Sequence, residues 1–443
     1  MRELPEGWIE EPFSQVARYA TGRTPARANA TYWRNETNQV PWVAISDMED
    51  YGSITKTKES ISRAAFQDVF RERVVPAGTL LMSFKLTIGR VATLSIPACH
   101  NEAIISIYPR DGVDKRYLGY FLSQVDYSDH QDRQVKGNTL NQAKIDRIPV
   151  PLPPSCEQRA IADVLDHCRV GINTERSAEE TANEIKRAAM TSLFTRGLRG
   201  EAQNETEIGL MPESWTLDSL GAHHSVVSGS TPSRNNFDFW TGGTIPWVKT
   251  AEVDYCTIAE TEEHITPRGL EHSAAKLLPV GTLLMAMYGQ GVTRGKVAVL
   301  AVEATCNQAC AAITPTDEAI LPRYLYHFLT WRYEAIRSLA HGGQQQNLNL
   351  EIVRDLPVAY PRTQDEQHEI IAILDALDCK IALHAQKRAV LEELFQSLLH
   401  KLMTGEIRVS DLDLSALGTP SLINPRTAKP RAGFLPAVAR GCA

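Results

Sequence analysis

The chain carries one pattern twice, in the same order, and this duplication limits the possible fold more than any other feature. Leu4-Pro5-Glu6-Gly7-Trp8 returns as Met211-Pro212-Glu213-Ser214-Trp215. Gly22-Arg23-Thr24-Pro25 returns as Gly229-Ser230-Thr231-Pro232, and Tyr32-Trp33 as Phe239-Trp240. Pro41-Trp42-Val43 is answered by Pro246-Trp247-Val248, and Pro76-Ala77-Gly78-Thr79-Leu80-Leu81-Met82 by Pro279-Val280-Gly281-Thr282-Leu283-Leu284-Met285. Gly89-Arg90-Val91-Ala92 matches Gly295-Lys296-Val297-Ala298, and Leu140-Asn141 and Pro149-Val150 match Leu348-Asn349 and Pro357-Val358. The displacements run from 203 to 208 positions. That period is far too long for a solenoid, so the repeating unit is a whole domain with its connection.

Each unit has two parts. Residues 1–153 and 207–361 alternate short β-branched or apolar runs with Gly and Pro turns, and each carries a helical stretch near its end, Tyr117 to Val125 in the first copy. The second part predicts a long helix. Ser155-x-x-Gln158 and Thr363-x-x-Glu366 have the form of capping boxes at its two starts. Apolar positions then recur at spacings of three and four, from Ile161 through Leu165, Cys168, Ile172, Ala182, Ile185 and Ala189 to Leu193. The second copy runs from Ile370 through Leu374, Leu377, Ile381, Leu391, Phe395 and Leu398 to Leu402. So narrow a stripe predicts helix-on-helix packing. Glu175 and Glu179 interrupt the first stripe at its middle, and His384 and Arg388 the second; an antiparallel pair would set acids against bases there.

The expected architecture is therefore α+β: two duplicated mixed α/β domains (1–153 and 207–361) separated by a pair of long antiparallel coiled-coil helices. The central helix and linker take 154–206, the distal helix 362–408, and 409–443 lacks periodicity and reads as a flexible tail.

Several chemistries are missing. Pro153-Pro154, which lacks a following aromatic, does not form the short motif an adenine methyltransferase places beside a flipped base. Gly289 to Lys296 resembles a P-loop, but five residues separate its outer glycines where four are needed, and Val297 stands where the metal-binding Ser or Thr belongs. The eight cysteines are scattered; only Cys306 and Cys310 are close, without a second pair at metal spacing, so they read as small buried apolar residues. No catalytic group, metal or cofactor is expected, and the chain reads as a binder. No apolar run of about 18 residues would span a membrane, and the N-terminal residues lack a signal-peptide core, so the expected location is the cytoplasm. The net charge of −7 does not favour a coat of nucleic acid, but an acidic protein can still hold a basic cleft.

The duplicated landmarks, the Glu157-Gln158 and Glu366-Gln367 helix openings, the Leu-Asn ahead of Ile148-Pro149-Val150-Pro151-Leu152-Pro153-Pro154, and Leu398-Leu399-x-Lys401-Leu402-x-x-Gly405 together resemble the specificity subunits of type I restriction-modification enzymes. The resemblance covers about residues 4–408, with Ala359-Tyr360-Pro361 replacing Pro151-Leu152-Pro153 in the second copy. It implies two target recognition domains, each reading half of a split sequence in double-stranded DNA. It implies that the helices bind two methyltransferase (modification) subunits that methylate adenine at N6, and that restriction subunits add translocation and cleavage. A helix of about 40 residues is roughly 60 Å long, which could hold two readers one to two duplex turns of about 34 Å apart. A tandem-domain scaffold joining other proteins is the alternative.

Base edges are read by Arg or Lys on guanine and by Asn or Gln on adenine. Three loops per domain carry such side chains. The Gly-x-Thr-Pro loop offers Arg23, Thr24 and Arg27, matched by Thr231, Ser233 and Arg234. The loop after Leu-Leu-Met offers Lys85 and Arg90, matched by Gln290, Arg294 and Lys296. The third offers Lys136 and Asn138, matched by Gln344, Gln345 and Gln346. Asn141 and Asn349 are read as caps, and Trp42 and Trp247 as core aromatics.

Overall fold

The computed structural model describes residues 4–33, 39–127, 132–134, 137–289, 292–339 and 347–413. They divide into two units, one formed by residues up to 174 and from 388 onward, the other by 175–387. Each holds one of the two mixed domains and half of each long helix.

In the first unit a five-stranded sheet runs in the order Ala17–Thr21, Ile104–Pro109, Leu80–Ser83, Val91–Leu94, Gly52–Ile54. A three-stranded sheet runs Glu59–Ile61, Val40–Val43, Cys99–His100, and Ile9–Pro12 pairs with Pro149–Leu152 to close the domain's ends on each other. The second unit repeats the order strand for strand. Its five-stranded sheet is His224–Ser228, Cys310–Pro315, Leu283–Ala286, Val297–Leu300, Thr257–Ile258, and its three-stranded sheet is Glu263–Ile265, Ile245–Val248, Thr305–Cys306. The register repeats as well: Leu80 lies opposite Ile107 and Thr93, and Leu283 opposite Ile313 and Val299.

The Leu-Leu-Met landmark is the central strand, buried on both faces. Leu80 and Met82 point to the core under the helix Lys115–Gln124, while Leu81 points to the core against the smaller sheet. Apolar residues on both faces are what a covered central strand requires. The turn before it needs glycine, because Gly78 and Gly281 have φ of +84° and +86°. Thr79 and Thr282 then donate to the carbonyls of Pro76 and Pro279 at 2.8 Å.

The helices Ser155–Arg196 and Gln364–Thr404 have 42 and 41 residues. In the first unit Ile161, Leu165, Cys168 and Ile172 pack with Phe395, Leu399 and Leu402. In the second, Met190, Leu193 and Phe194 pack with Ile370 and Leu374. In each unit the start of one helix thus meets the end of the other, the antiparallel arrangement. Ile185 departs from the expected stripe and is half exposed.

The capping boxes are not formed as expected. Gln158 turns away from its own helix start: its Nε2 donates to Pro153 and Gly112 carbonyls, and its Oε1 accepts from the Asp114 amide. In the second copy Glu366, the residue of the expected box, accepts from the Trp215 indole, and the neighbouring Gln367 bonds to Pro361, Ala319 and Leu321 in the manner of Gln158. These buried groups compete better for the glutamines than the exposed helix ends do. The expected boundary at 206/207 falls inside a hairpin, Gln203–Thr206 with Gly209–Pro212. Of the expected tail, residues 409–413 are described: Val409–Asp411 forms a short turn, and Val409 and Leu412 pack on the helix core, while 414–443 lie outside the described residues. Cys99, Cys168, Cys306 and Cys310 are buried as expected, but Cys156 and Cys379 are exposed. Among the described residues no helix is long and apolar enough to cross a membrane.

Candidate nucleic-acid interface

The Gly-x-Thr-Pro loop is seated by its own landmarks. A Cβ on Gly22 would collide with the carbonyl oxygens of His100 and Asn101, and one on Gly229 with those of Cys306 and Asn307. Only glycine lets the loop lie this close. Trp42, buried as expected, donates its indole N–H to the Arg23 carbonyl at 3.0 Å; Trp247 does so to the Ser230 carbonyl at 2.9 Å. The threonine hydroxyls close the loop, Thr24 on Glu102 and Thr231 on Gln308.

Arg27 and Arg234 sit alike. Arg27 makes two bonds to Glu59, 2.6 and 2.8 Å, and lies 3.8 Å over the Trp33 ring. Arg234 pairs with Glu263 and lies 3.7 Å over Trp240. The Arg27 guanidinium holds the Glu59 carboxyl below its usual range, and Arg234, with Lys249, does so for Glu263. Both arginines are half exposed, yet their donors already serve the loop. Ser233 is exposed, and its carbonyl accepts from the Trp240 indole. Arg23 is exposed and donates to the Val69 carbonyl at 2.8 Å.

The second loop turns mostly inward. Arg90 donates to the carbonyl of Met48 at 3.1 Å and lies 3.8 Å from Asp50. Lys296 pairs with Asp254 at 2.5 Å, and Arg294 is buried. Lys85 is half-buried, its amine 5.3 Å from the Phe84 ring centre. In the third loop Asn138 lies in the strand Gly137–Thr139, paired with Asp132–Gln134. Lys136, Gln290, Gln344, Gln345 and Gln346 lie outside the described residues. Asn141 and Asn349 cap the following helices, accepting from Lys144 and Ile352 at 2.9 and 2.8 Å.

At the helix pair, Glu157 holds Arg408 at 2.7 Å, and Glu366 accepts from the Trp215 indole at 3.3 Å. Glu175 and His384 meet directly. Arg388 bonds to Glu392 on its own helix at 3.1 Å, and Glu179 is half-buried.

Sequence reasoning missed the pairs that dock the helices Lys115–Gln124 and Pro322–Trp331 on the long helices. Arg116 bridges Asp163 and Asp166 at 2.7 and 2.8 Å, and Tyr120 donates to Asp166. In the second unit Arg323 and His327 both reach Asp375 at 2.8 Å, and Lys186 binds Asp378. Arg323 and Lys186 each answer an oxygen of Asp375 and Asp378, and with His327 these side chains form a docking network. The signal was present: Arg116-Tyr117-Leu118 recurs as Arg323-Tyr324-Leu325, and Leu165-Asp166 as Leu374-Asp375.

A duplicated mixed domain, with one scaffold, divergent loops and paired helices, defines a two-headed recognition protein, and comparison with known proteins agrees. The model of the type I restriction modification DNA specificity domain matches residues 5–186 and again 212–393, so the chain belongs to that family. It is 23% identical over 422 residues to the type I restriction enzyme MjaIX specificity subunit of Methanocaldococcus jannaschii, covering 93% of this chain and 96% of that one. It is 27% identical over 272 residues to the EcoR124I/EcoR124II specificity subunit of Escherichia coli, covering 59% and 63%. Its fold resembles the type I restriction-modification S subunit from M. genitalium, with a TM-score of 0.57, 13% identity, and 89% and 96% of the two chains covered. A structure reported for complex assembly and conformational transition of the type I system gives 0.56, 16%, 92% and 100%.

Proposed function

We propose that this chain is the DNA-specificity subunit of a type I restriction-modification complex, with one half of a split duplex target read by each recognition domain. The single observation that carries the proposal is one scaffold, repeated strand for strand, under loops that differ between copies: Phe84-Lys85-Leu86-Thr87-Ile88 stands against Met287-Tyr288-Gly289-Gln290-Gly291. A shared scaffold under divergent loops is what two readers of two sequences need. Among the sequence-derived candidates Arg23, Thr24, Lys85, Lys136 and Asn138 would serve the first half-site, and Thr231, Ser233, Gln290 and Gln344 to Gln346 the second. Arg27, Arg234, Arg90, Arg294 and Lys296 would stiffen the loops that carry them.

The chain itself supplies no catalysis in this reading. Two methyltransferase subunits, docked along the long helices, would methylate adenine at N6, and restriction subunits would join the same assembly. Residues 1–153 and 207–361 are kept as the two recognition domains, with the hairpin Gln203–Thr206 and Gly209–Pro212 spanning the start of the second and the turn Val409–Asp411 assigned to the distal helix. The test is a genome-wide map of N6-methyladenine in a host expressing the chain with its neighbouring methyltransferase, against the same host without the chain. A split motif with a fixed unspecified gap, present only with the chain, is expected. An active methyltransferase with no chain-dependent motif would overturn the reading in favour of a protein scaffold.

A further inference from the structure

In the first unit a cleft of about 670 Å³ opens beside the Gly-x-Thr-Pro loop. Its floor is His100 and Ser106, both buried, and its rim carries Arg23, Arg71 and Arg73. None of the sequence-derived candidates accounts for Arg71 or Arg73.

The backbone there is unusual. The helix Arg63–Asp68 starts on its Ser62 cap and ends at Val69; Arg71 and Glu72 then adopt φ of +53° and +57° in succession. Side chains other than glycine avoid that region, so two in a row persist only where the surroundings hold them. Here Arg63 and Gln67 hold the Glu72 carboxylate at 2.9 and 3.0 Å. Arg23 binds the Val69 carbonyl and so ties the segment to the Gly-x-Thr-Pro loop. With Glu72 engaged, Arg71 and Arg73 stand exposed, and neither guanidinium has a protein partner among the described residues. That contrasts with Arg27, Arg90 and Arg116, which pair with groups elsewhere in the same unit.

The second copy lacks the device. Pro76 follows Ser62 by 14 positions, whereas Pro279 follows Thr266, the equivalent cap, by 13. The shorter segment His272-Ser273-Ala274-Ala275-Lys276-Leu277 has no left-handed residue and one cation. The scaffold turn does repeat, with Tyr51 and Tyr255 at φ of +59° and +53°. The kink therefore belongs to what distinguishes the two readers, not to what they share.

Resting on the specificity-subunit reading, we propose that Phe70–Val74 is a specificity-determining element of the first recognition domain, with Arg71 and Arg73 donating to guanine in its half-site. An arginine fork matches guanine O6 and N7, and a stiff, kinked segment presents two forks without slack.

The test assembles the full chain with its methyltransferase subunits and maps the methylated motif for wild type, Arg71→Ala/Arg73→Ala and Arg71→Lys. Discrimination at one or more guanines of a single half-site should fall about tenfold or more, with the other half-site unchanged. Arg71→Lys keeps the charge but not the fork, and should relax the same half-site while methylation continues. An unchanged motif in both variants, or equal weakening at both half-sites with every base still specified, would overturn the proposal. Absence of any chain-dependent motif in the wild type would overturn the specificity reading itself, so the two failures are told apart.

Discussion

Glu175 Oε2 lies 2.6 Å from His384 Nδ1, so the interruption of one apolar stripe is answered by the interruption of the other. Both side chains are mostly buried, at 19% and 18% exposure. A polar pair at an otherwise apolar seam fixes register, because a one-turn slip would bury each group against a hydrophobic partner. Glu175→Arg should cost about 1–2 kcal/mol, between the values for exposed pairs and for fully buried ones. Adding His384→Glu should recover at least half of that in a denaturant titration. A double variant no better than the single would show that the pair does not set the register.

Gln158 and Gln367 each join a long helix to the recognition domain it carries. Replacing Gln158 with Ala leaves the Asp114 amide and the Pro153 carbonyl without that partner in a buried place. The expected cost is about 2–3 kcal/mol, read as faster hydrogen exchange at Asp114 to Tyr117. Gln367→Ala should produce the same effect around Leu321 and leave the first unit protected. Gln158→Glu should not rescue, since a carboxylate oxygen would replace the donor facing Pro153. Uniform loss across both units in either variant would contradict the clamp.

What could be read from the sequence was what the duplication repeats under local rules. Gly78 and Gly281 announce a turn that only glycine enters easily, Asn141 and Asn349 announce caps, and the apolar spacing announces both long helices. The capping-box reading failed because Ser155-x-x-Gln158 is a local pattern, whereas two of the glutamine's three partners, Asp114 and Gly112, lie more than 40 positions away. Arg27 was legible as a cation on a loop, but not as the partner of Glu59, because strand pairing brings the glutamate beside it. Arg71 escaped notice for a related reason: a one-residue insertion breaks no periodicity, and only the backbone reveals the kink.

Arg27 provides a direct test of whether a loop cation builds the domain or reads through it. Both partners are about half exposed, 52% and 40%, so solvent screening limits the pair to a coupling of about 0.5–1 kcal/mol with Glu59 in a double-mutant cycle. The stack on Trp33 adds to the cost of Arg27→Ala. Arg27→Lys should recover little, because an ammonium cannot make both carboxylate bonds and stack. The methylated motif should stay unchanged in every one of these variants. A base lost from the first half-site on Arg27→Ala would instead make Arg27 a reader.

His224 should make the second recognition domain sensitive to acid. Its ring is buried with no side-chain partner for either nitrogen among the described residues, and burial pulls its pKa from 6.5 down to about 4, opposed by the Leu220 backbone and Asp317, with neighbouring His223 lowering it further. The folded state thus binds the proton more weakly than the unfolded chain, whose imidazole titrates near 6.5. Stability is full above about pH 6.5, falls as the pH drops towards 4, and levels off below the folded pKa. His327, also held down to about 4 by burial, contributes in the same direction. His223 works the other way: although burial lowers its pKa, Asp317 and Asp218 raise it overall, so its contribution is present below about 6.5 and fades as pH rises. His224→Leu isolates the one group. It should flatten the fall in unfolding free energy between pH 6.5 and 4 relative to wild type, while the first unit keeps its own profile. An unchanged slope in that window would mean that the imidazole finds a proton acceptor as the domain acidifies.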